Sequence, residues 1–437
     1  MTKLWIGCLL LVGCGGAEEP GRTQGGTRPD VALVLIDTLR RDHLDLYGYG
    51  MPTAPYLREL AASSAVFERA YSTSSWTAPA TASVLTGLYP PRHGLTLGMH
   101  AEEGEEAEVP GDAASLTLSK LPKALATLPE LFHAAGYQTH AIASNINISR
   151  ERGFDRGFDQ FRLAPKADAL TLRETLEAWG EQRDAERPAF WYLHFNDVHK
   201  PYDARPPWPP LEGAGRDQGL ARYDSEIAYL DGVLATLRQR LAWDEDTVIV
   251  VLADHGEEFG DHGGRGHRYR LYGELMNVPL LMHIPGVTDA GSRLDTPVSL
   301  IDVLPTLTEI AGLADGATRD GLSLMPLIQG DRQAPRPLFA QRRKPNYDPL
   351  LWAVVDDGWK LIYSEGEDRF ELFDAIGDPL DQHDLAEQHP DQVERLMHLL
   401  EPMRAVEPLA AEQGSLELDR DLTEHLRELG YAGDEDE

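Results

Sequence analysis

Residues 31–37 read VALVLID, six apolar residues in a row followed at once by an aspartate. An apolar run without polar alternation is typical of a strand buried on both faces of a mostly parallel sheet. Three similar runs occur later in the chain: HAIA at 140–143, FWYLHF at 190–195 and TVIVVLA at 247–253. The sequence therefore predicts a buried sheet that contains these four strands.

Polar side chains follow each of the four runs. They are Asp37 after the first, Asn145 after the second, Asn196, Asp197 and His199 after the third, and Asp254 and His255 after the fourth. In open α/β sheets, ligands bind outside the carboxyl ends of the strands. Four separate strands that end in such residues predict one shared site at that edge of the sheet.

Helical patterns alternate with these strands at 54–63, 128–135, 170–183 and 223–241, which predicts an α/β layered fold. From about residue 336 the pattern changes to short alternating segments split by Gly and Asp turns. That change predicts a small antiparallel sheet with a helix at 390–404, so that 336–405 form a small α+β subdomain. We expect 406–437 to be an acidic helical tail.

The chain of 437 residues carries 40 Lys and Arg against 72 Asp and Glu, a formal net charge of −32. A nucleic acid would be repelled by this charge, so we expect no nucleic-acid partner. The two cysteines, Cys8 and Cys14, lie in the first residues. The folded body therefore has no cysteine for a disulfide, for zinc or for nucleophilic attack.

Residues 1–16 read MTKLWIGCLLLVGCGG, a lysine followed by an apolar stretch that is too short to span a bilayer. This pattern predicts an export signal. The segment LVGC at 11–14 also resembles a bacterial lipobox, in which Cys14 would be lipidated and would hold the protein at a membrane surface. We expect a lipid-anchored protein of the bacterial envelope, periplasmic or surface-facing, with 1–14 as signal and 15–29 as flexible linker. The alternative is an ordinary secretory signal with an incidental cysteine.

Residues 254–263 read DHGEEFGDHG, and His267 follows shortly after. A carboxylate next to an imidazole at a strand end is a metal-binding arrangement that suits Zn²⁺ or Mn²⁺, and Ca²⁺ less well. Asp37 offers a second carboxylate. The alternative interpretation is a histidine-rich surface loop.

Residues 75–87 read SWTAPATASVLTG, in which 78–85 predict a helix with Thr77 near its start and Pro79 in its first turn. The N-terminus of a helix attracts anions. A threonine at that position, beside a dication, could lose its proton and attack phosphorus or sulfur. Taken alone, the segment also fits a threonine that merely caps its helix.

Together these segments resemble the sulfatase family of the alkaline-phosphatase superfamily. The resemblance runs in the family's order from about residue 30 to 387. The matching segments are VLIDTLRRDHLDLYGY, WTAPATASVLTGLYPPRHG, GFDRGFDQF, HFNDVHKPYD, DHGEEFGDHG, LYGELMNVPLLMHIPG, VSLIDVLPTLTEIAGL and FELFDAIGDPLDQHDLA. It implies an alkaline-phosphatase-like three-layer α/β/α sandwich around a large mixed sheet, with 30–335 as catalytic domain and a small C-terminal antiparallel sheet plus helix.

The resemblance also implies roles for individual residues. Asp37, Asp254 and His255 would hold a divalent metal, and Thr77 would be both nucleophile and metal ligand. His199 would contact the substrate anion or protonate the leaving group. The further candidates for substrate binding or proton transfer are Asn145, His262, His267 and Lys200, of which Lys200 is equally compatible with an exposed lysine.

The chain departs from the family at the nucleophile. Sulfatases carry Cys or Ser at this position, in the pattern x-Pro-x-Arg, and oxidise it to formylglycine. Here the residue is Thr77, with Ala80 and Thr81 in place of the usual Ser and Arg, and Thr38 stands where many sulfatases have a second metal-binding Asp. Threonine cannot yield the formylglycine aldehyde, so we expect no formylglycine. The set instead resembles threonine-nucleophile phosphodiesterases and phosphoethanolamine transferases.

Three functional hypotheses follow. The first is a metal-dependent hydrolase of small-molecule, lipid or glycan sulfate or phosphate esters, in which Thr77 attacks and water then cleaves the covalent intermediate. The second is a phosphoryl-group transferase that acts on an envelope lipid or glycan, although such transferases usually carry membrane-spanning helices. The third is a catalytically inactive binding lipoprotein, which the loss of the formylglycine motif suggests and the metal-ligand set opposes.

Overall fold

The computed structural model describes residues 28–97, 114–165, 167–203, 205, 218–243, 246–267, 270–344 and 347–418. The predicted signal with Cys14, nearly all of the predicted linker and residues 419–437 lie outside these ranges. Within them, no helix combines the length and the apolar character that a bilayer-spanning segment needs.

A central mixed sheet forms the core of the chain. Its strands are β1 (Asp30–Ile36), β2 (Ala65–Phe67), β5 (Gln138–Ala143), β6 (Gln160–Leu163), β7 (Ala189–Phe195), β8 (Thr247–Leu252), β12 (Leu280–His283) and β13 (Ser292–Leu294). Their spatial order is β13-β2-β12-β8-β1-β7-β5-β6. The pairs from β8 through to β6 are parallel, whereas β12 runs antiparallel to both β8 and β2.

The continuous apolar run of β1 follows from its place in the sheet. β1 pairs with β7 on one side and β8 on the other, with Val34 opposite Leu193 and Val251. Residues 31–36 are at most 2% exposed, because both faces of the strand are covered. The predicted buried parallel strands are thus confirmed.

Helices connect and cover the strands. They are α1 (Pro55–Ala61), α2 (Thr77–Thr86), α3 (Pro90–His93), α4 (Leu128–Ala134), α5 (Ala169–Gln182), α6 (Gln218–Arg240), α7 (Gly273–Met276), α8 (Val303–Ile310), α9 (Met325–Ile328) and α10 (Pro390–Arg404), with 3₁₀ turns at Arg41–His43, Asp45–Tyr47 and Leu300–Asp302. Two small sheets complete this part: β3 (Ala70–Tyr71) with β11 (Asn277–Val278) and β14 (Val298–Ser299), and β9 (Glu258–Phe259) with β10 (Arg265–Gly266).

The predicted C-terminal antiparallel sheet is confirmed. It is a four-stranded meander of β15 (Leu338–Lys344), β16 (Tyr347–Asp356), β17 (Trp359–Glu365) and β18 (Arg369–Asp374). One face packs on α10 through Leu396 and Leu400. The other face packs against Leu275 and Met276 of α7, so the small sheet contacts the segment that follows the DHGEEFGDHG motif.

The tail prediction is wrong over its described part. Residues 412–418 form a strand, β19 (Glu412–Leu418), which pairs antiparallel with β4 (Ala114–Lys120). Gly414 is a poor helix former, and Leu416 and Leu418 alternate with Ser415 and Glu417 as in a strand. Pairing with β4 gives these residues a ladder of backbone hydrogen bonds. An isolated helix without a packing surface would be marginally stable, so the strand is favoured.

Candidate active site

The four predicted strand ends lie side by side. β8, β1, β7 and β5 are neighbours in this order and run parallel, so their carboxyl ends meet at one edge. The Asp37 amide donates to the Phe195 carbonyl at 2.9 Å, and the Ser144 amide donates to the His194 carbonyl at 3.0 Å. These bonds continue the sheet by one residue past the strands and bring the polar residues together.

Thr77 enters this edge from α2. The helix begins at Thr77, with Trp76 as its N-cap residue and Pro79 in its first turn. The Thr77 hydroxyl lies 3.4 Å from Asp37 Oδ2 and 3.4 Å from His255 Nε2, and the side chain is 2% exposed. The hydroxyl therefore points at the strand ends, in contrast to the alternative that it only caps its own helix.

Asp37, Asp254 and His255 form a buried group whose ligand atoms lie within 4.8 Å of one another. His255 Nε2 is 3.8 Å from Asp37 Oδ1 and 3.6 Å from Asp254 Oδ2. We call these three residues together with Thr77 the central cluster. In the part of the chain that the structure describes, it is the one group of three or more acidic or histidine side chains with this spacing.

Each of these three side chains is hydrogen-bonded to the protein through one polar atom and faces the central cluster with another. Asp254 Oδ1 accepts from the His255 amide at 2.9 Å, and Asp37 Oδ2 accepts from His194 Nε2 at 3.1 Å. Their other oxygens, Asp37 Oδ1 and Asp254 Oδ2, are buried without a hydrogen-bond partner among the described residues. His255 Nδ1 donates to the Gly256 carbonyl at 2.9 Å, which leaves Nε2 as the ring nitrogen that faces the cluster.

The electrostatics of the two carboxylates also call for a cation. Burial raises the pKa of Asp37, but the hydrogen bond from His194 and the positive potential of His199 and His255 hold that pKa below its usual value. Burial and then the charge of Asp37 raise the pKa of Asp254 well above its usual value. Two buried carboxylates that face each other are stable together only when a cation or a proton compensates them, so these residues fit a divalent metal.

A ring of amide and imidazole groups surrounds Asp37. Asn145 donates through Nδ2 to Asp37 Oδ2 and to Asn196 Oδ1, the latter at 3.0 Å, and its Nδ2 lies 3.5 Å from Thr77 Oγ1. The Asn145 side chain is itself held by the Asn147 amide at 2.8 Å. Asn145 is therefore placed where it can reach an oxygen of a group bound to Thr77.

Two further predicted residues lie next to the central cluster. The ring centroid of His267 is 4.6 Å from that of His255 and 5.0 Å from that of His199. His199 Nδ1 donates to the Lys200 carbonyl at 2.7 Å, and both histidines are at most 4% exposed. Lys200 itself is exposed.

His262 is not brought to the central cluster. Its Nδ1 bonds Glu274 Oε1 at 2.7 Å and its Nε2 bonds the Asp381 carbonyl at 2.8 Å, so both ring nitrogens are engaged. Although burial lowers it, the bond to Glu274 raises the pKa of His262 above its usual value. Asp381 in turn pairs with the buried Lys360 at 2.5 Å. We call His262, Glu274, Lys360 and Asp381 the linking cluster, and we leave His262 out of the catalytic set.

With this geometry in place, comparison with known proteins is decisive for the family. The sulfatase family model matches residues 29–313, more than half of the chain. The chain belongs to the sulfatase family. It is accordingly an ester hydrolase of the alkaline-phosphatase superfamily. A second model, described as N-sulphoglucosamine sulphohydrolase, C-terminal, matches residues 260–406.

The relatives of this sulfatase-family chain are distant. It is 26% identical over 385 residues to N-acetylgalactosamine-6-sulfatase of Canis lupus familiaris, covering 76% of this chain and 70% of that protein. It is 24% identical over 429 residues to choline-sulfatase of Rhizobium meliloti (strain 1021), covering 82% and 83%. Its fold is similar to that of phosphonate monoester hydrolase of Agrobacterium radiobacter, with a TM-score of 0.69, 19% identity, and coverage of 90% of this chain and 100% of that one.

Three residues of this sulfatase-family site are missing from the sequence prediction. His194 lies inside the apolar run of β7 and reads as part of a strand, although its ring bonds Asp37 and, through Nδ1, the Tyr192 hydroxyl at 2.9 Å. The sequence places Asn196 at a strand end but gives no sign of its hydrogen bond with Asn145. Glu257 lies two residues beyond His255, and its contact with His267 at 3.0 Å has no signal in the sequence.

The C-terminal sheet also reaches the site. The Arg342 guanidinium of β15 lies 3.8 Å from the ring centroid of Trp76, the residue before Thr77. The Gln341 amide donates to the Thr73 carbonyl at 3.0 Å. Trp76 is 4% exposed and Arg342 is 2% exposed, so the small sheet covers the entry to α2.

Proposed function

We propose that this protein is a metal-dependent hydrolase of sulfate or phosphate esters in which the Thr77 hydroxyl is the nucleophile. The observation that carries the proposal is the approach of Thr77 Oγ1 to within 3.4 Å of both Asp37 Oδ2 and His255 Nε2. Next to two buried carboxylates that would hold a cation, the hydroxyl is placed to become an activated nucleophile.

Asp37, Thr77, Asp254 and His255 are the residues that would hold the metal. When bound, a divalent ion would lower the pKa of the hydroxyl and offset the negative charge of the ester. A set of two carboxylates, an imidazole and a hydroxyl favours Zn²⁺ or Mn²⁺, and Ca²⁺ is possible. The protein contributes rigid ligands, because Asp37, Asp254 and His255 are each fixed on the far side by the bonds described above.

The reaction runs in two steps. Thr77 Oγ1 forms a bond to the sulfur or phosphorus, the bond from that centre to the leaving oxygen breaks, and His199 relays the proton that Thr77 loses to that oxygen. Water then adds to the same centre, the bond to Thr77 Oγ1 breaks, one proton of the water returns to Thr77 Oγ1, and the free sulfate or phosphate product departs. Asn145 transfers one of its two N–H hydrogen bonds, which are made to Asp37 and Asn196 in the structure, to a non-bridging oxygen in both steps. Lys200, which is exposed, contacts the more distant part of the substrate.

The choice between sulfate and phosphate follows from the nucleophile. A threonine cannot form the aldehyde hydrate by which formylglycine releases sulfate, so no formylglycine takes part. Hydrolysis of a threonyl ester by water suits a phosphoryl group, which favours phosphate esters. One relative is named N-acetylgalactosamine-6-sulfatase, so a sulfated sugar is the alternative substrate to test.

The test is turnover of p-nitrophenyl phosphodiester, phosphate monoester and sulfate by the purified, metal-loaded protein. Thr77→Ala should abolish turnover, and Thr77→Ser should retain part of it because the hydroxyl persists. Thr86→Ala is the matched control, since Thr86 ends the same helix and its hydroxyl donates to the Ala82 carbonyl at 2.6 Å. Full activity in Thr77→Ala would overturn the nucleophile.

A chemical trap strengthens this test. A quenched reaction should contain protein heavier by one phosphoryl or sulfuryl group, and peptide mapping should place that group on Thr77. Addition of an alcohol acceptor distinguishes hydrolysis from transfer: a transfer product in excess over the water product would replace hydrolase by transferase. A metal-free protein with no turnover of any ester would favour the inactive binding lipoprotein.

We further propose that the protein is exported and anchored by lipid on Cys14 at the bacterial envelope, periplasmic or surface-facing. The LVGC segment and the Gly- and Pro-containing stretch after it support this proposal. In a bacterial host, the full chain should partition into detergent and take up radiolabelled palmitate. Cys14→Ser should move it to the aqueous phase, and an aqueous native protein would contradict the anchor.

A further inference from the structure

Three imidazole rings meet beside the nucleophile. His255 belongs to the central cluster, and its Nε2 lies 3.4 Å from Thr77 Oγ1. The ring of His267 packs against it at 4.6 Å between centroids and against the ring of His199 at 5.0 Å. His267 therefore contacts the ring of His255, which in turn contacts the Thr77 hydroxyl, and it is 4% exposed.

A fully buried carboxylate holds His267 in this position. Glu257 is 0% exposed, and its Oε1 accepts from His267 Nδ1 at 3.0 Å. Its other oxygen, Oε2, accepts from the Tyr202 hydroxyl at 2.8 Å. Arg40 donates to the Glu257 backbone carbonyl at 3.1 Å, so both the side chain and the main chain of this residue are fixed.

The bond to Glu257 decides which nitrogen of His267 carries the proton. A carboxylate accepts, so Nδ1 is the N–H nitrogen, and Nε2 carries the lone pair of the neutral ring. An imidazole with this orientation can accept a hydrogen bond from water through Nε2. A carboxylate that fixes the tautomer of such a ring changes the rate of a reaction without touching the substrate.

We propose that Glu257 is a positioning residue, which holds His267 so that Nε2 orients the water that cleaves the covalent Thr77 intermediate. The inference rests on the proposed function and assigns the second step to the Tyr202–Glu257–His267 chain. His199 serves the leaving group in the first step, so the two packed histidines divide the two steps between them.

The kinetic test is Glu257→Ala in the metal-loaded protein. Loss of the carboxylate frees the ring and slows the second step, so kcat should fall by about 10–100-fold and KM should fall with it. Quenched samples should then contain more Thr77-linked intermediate than native samples. A raised KM with unchanged kcat, or no increase in intermediate, would overturn the proposal.

Two companion variants separate positioning from folding. Glu257→Gln keeps an acceptor for His267 and a polar group for Tyr202, so it should restore most of the rate. Tyr202→Phe removes one of the two bonds to Glu257 and should give a smaller loss of the same kind. Metal content and the unfolding midpoint of each variant are measured alongside, and a Glu257→Ala loss that tracks metal content alone contradicts positioning through His267.

A double-mutant cycle isolates the pathway. Because Glu257 acts through His267, Glu257→Ala should have little further effect in a His267→Ala background. Glu258→Ala is the matched control, since Glu258 lies next in sequence but approaches Arg270 at 3.5 Å rather than His267. Its effect should be the same in both backgrounds, and additivity for Glu257 as well would overturn the inference.

A spectroscopic readout makes failure of this inference distinguishable from failure of the proposed function. In ¹⁵N-histidine-labelled protein, the His267 signals, assigned by their loss in His267→Asn, should show the Nδ1–H tautomer. Glu257→Ala should shift them toward a tautomer mixture. If the native protein turns over no ester, the proposed function fails, and unchanged tautomer signals in Glu257→Ala would overturn the positioning role independently.

Discussion

Buried carboxylates occur in the central cluster and in the linking cluster, but they are compensated differently. In the linking cluster, Asp381 pairs with Lys360, and both side chains are at most 3% exposed. In the central cluster, Asp37 and Asp254 are equally buried, yet one oxygen of each has no hydrogen-bond partner among the described residues. In the linking cluster Glu274 pairs with His262 as well, although its Oε2 also lacks a hydrogen-bond partner among the described residues. The two facing carboxylates of the central cluster instead need a cation from outside the chain.

This difference shows what separates a binding site from a structural ion pair. Burial alone does not distinguish them, and neither does the presence of histidine, since His262 belongs to the linking cluster. The distinguishing feature is a charge that the fold leaves uncompensated at the cost of its own stability. Substitutions in the two clusters should therefore have opposite consequences for activity and for stability.

The largest effect is expected for Asp37→Ala. Loss of this carboxylate removes a proposed metal ligand and the acceptor of the His194 and Asn145 bonds. Turnover should fall by about 10⁴-fold or more, and the purified variant should contain less than one equivalent of metal. Metal analysis and single-turnover kinetics measure the two losses. A variant with full metal content and native turnover would contradict the role of Asp37 as a metal ligand.

Asp381→Ala should act on stability instead. The change leaves Lys360 buried without its partner, which costs about 3–5 kcal/mol in the free energy of unfolding. Burial raises the pKa of Asp381 to about 6, so this side chain is ionised at pH 8. Urea unfolding at that pH measures the loss. The double variant Lys360→Met with Asp381→Asn should recover part of the loss, since asparagine tolerates the positive φ of 57° at this position. Turnover of the folded fraction should stay near native, and a selective loss of turnover would place the linking cluster in the site.

Asp254→Asn should raise the stability of the metal-free protein. The substitution removes one of two facing charges and keeps the oxygen that accepts from the His255 amide. We expect a gain of about 0.5–2 kcal/mol without metal, the range typical of substitutions that relieve charge repulsion, together with weaker metal binding. Chelator-treated native and variant proteins are compared by thermal unfolding. A loss of stability would mean that Asp254 is compensated within the protein.

Glu226→Gln should produce the smallest effect at acid pH, and it adds a third way to compensate a buried carboxylate, which is a retained proton. Burial raises the pKa of Glu226 to about 9, so it keeps its proton at neutral pH. Its stabilising contribution is fully present below pH 4.5 and is lost as the pH rises through about 9.

Below pH 4.5 the glutamine variant should match native within about 0.5 kcal/mol, because Glu226 is then neutral in both the folded and the unfolded chain. Relative to native, it should become more stable as the pH rises from 5 toward 9.5. Urea unfolding of both proteins across this range provides the measurement. Parallel pH profiles would show that Glu226 is ionised in the folded state.

Much of the fold and the centre of the site were accessible from the sequence. Runs such as 31–36 and 247–253 predicted strands buried on both faces, and the rule that ligands bind at the carboxyl ends of parallel strands brought Asp37, Asn145 and Asp254 to one edge. These inferences succeed because they depend on local patterns and on one general property of parallel sheets.

The remainder depends on pairings between distant segments. His262 looks like His255 in a glycine-rich loop, and only its contacts with Glu274 and Asp381 assign it to the linking cluster. Glu257 and Glu258 are adjacent and identical in type, yet one bonds His267 and the other approaches Arg270. Glu412–Leu418 became a strand because β4, nearly 300 residues earlier, offers it an edge.

The guanidinium of Arg342 stacked on Trp76 has a consequence for protein engineering. A chimera that takes its C-terminal sheet from another family member would also replace the flat cation that covers this indole. Such chimeras should therefore exchange positions 76 and 342 together, because a mismatched pair would uncover the turn that presents the Thr77 hydroxyl.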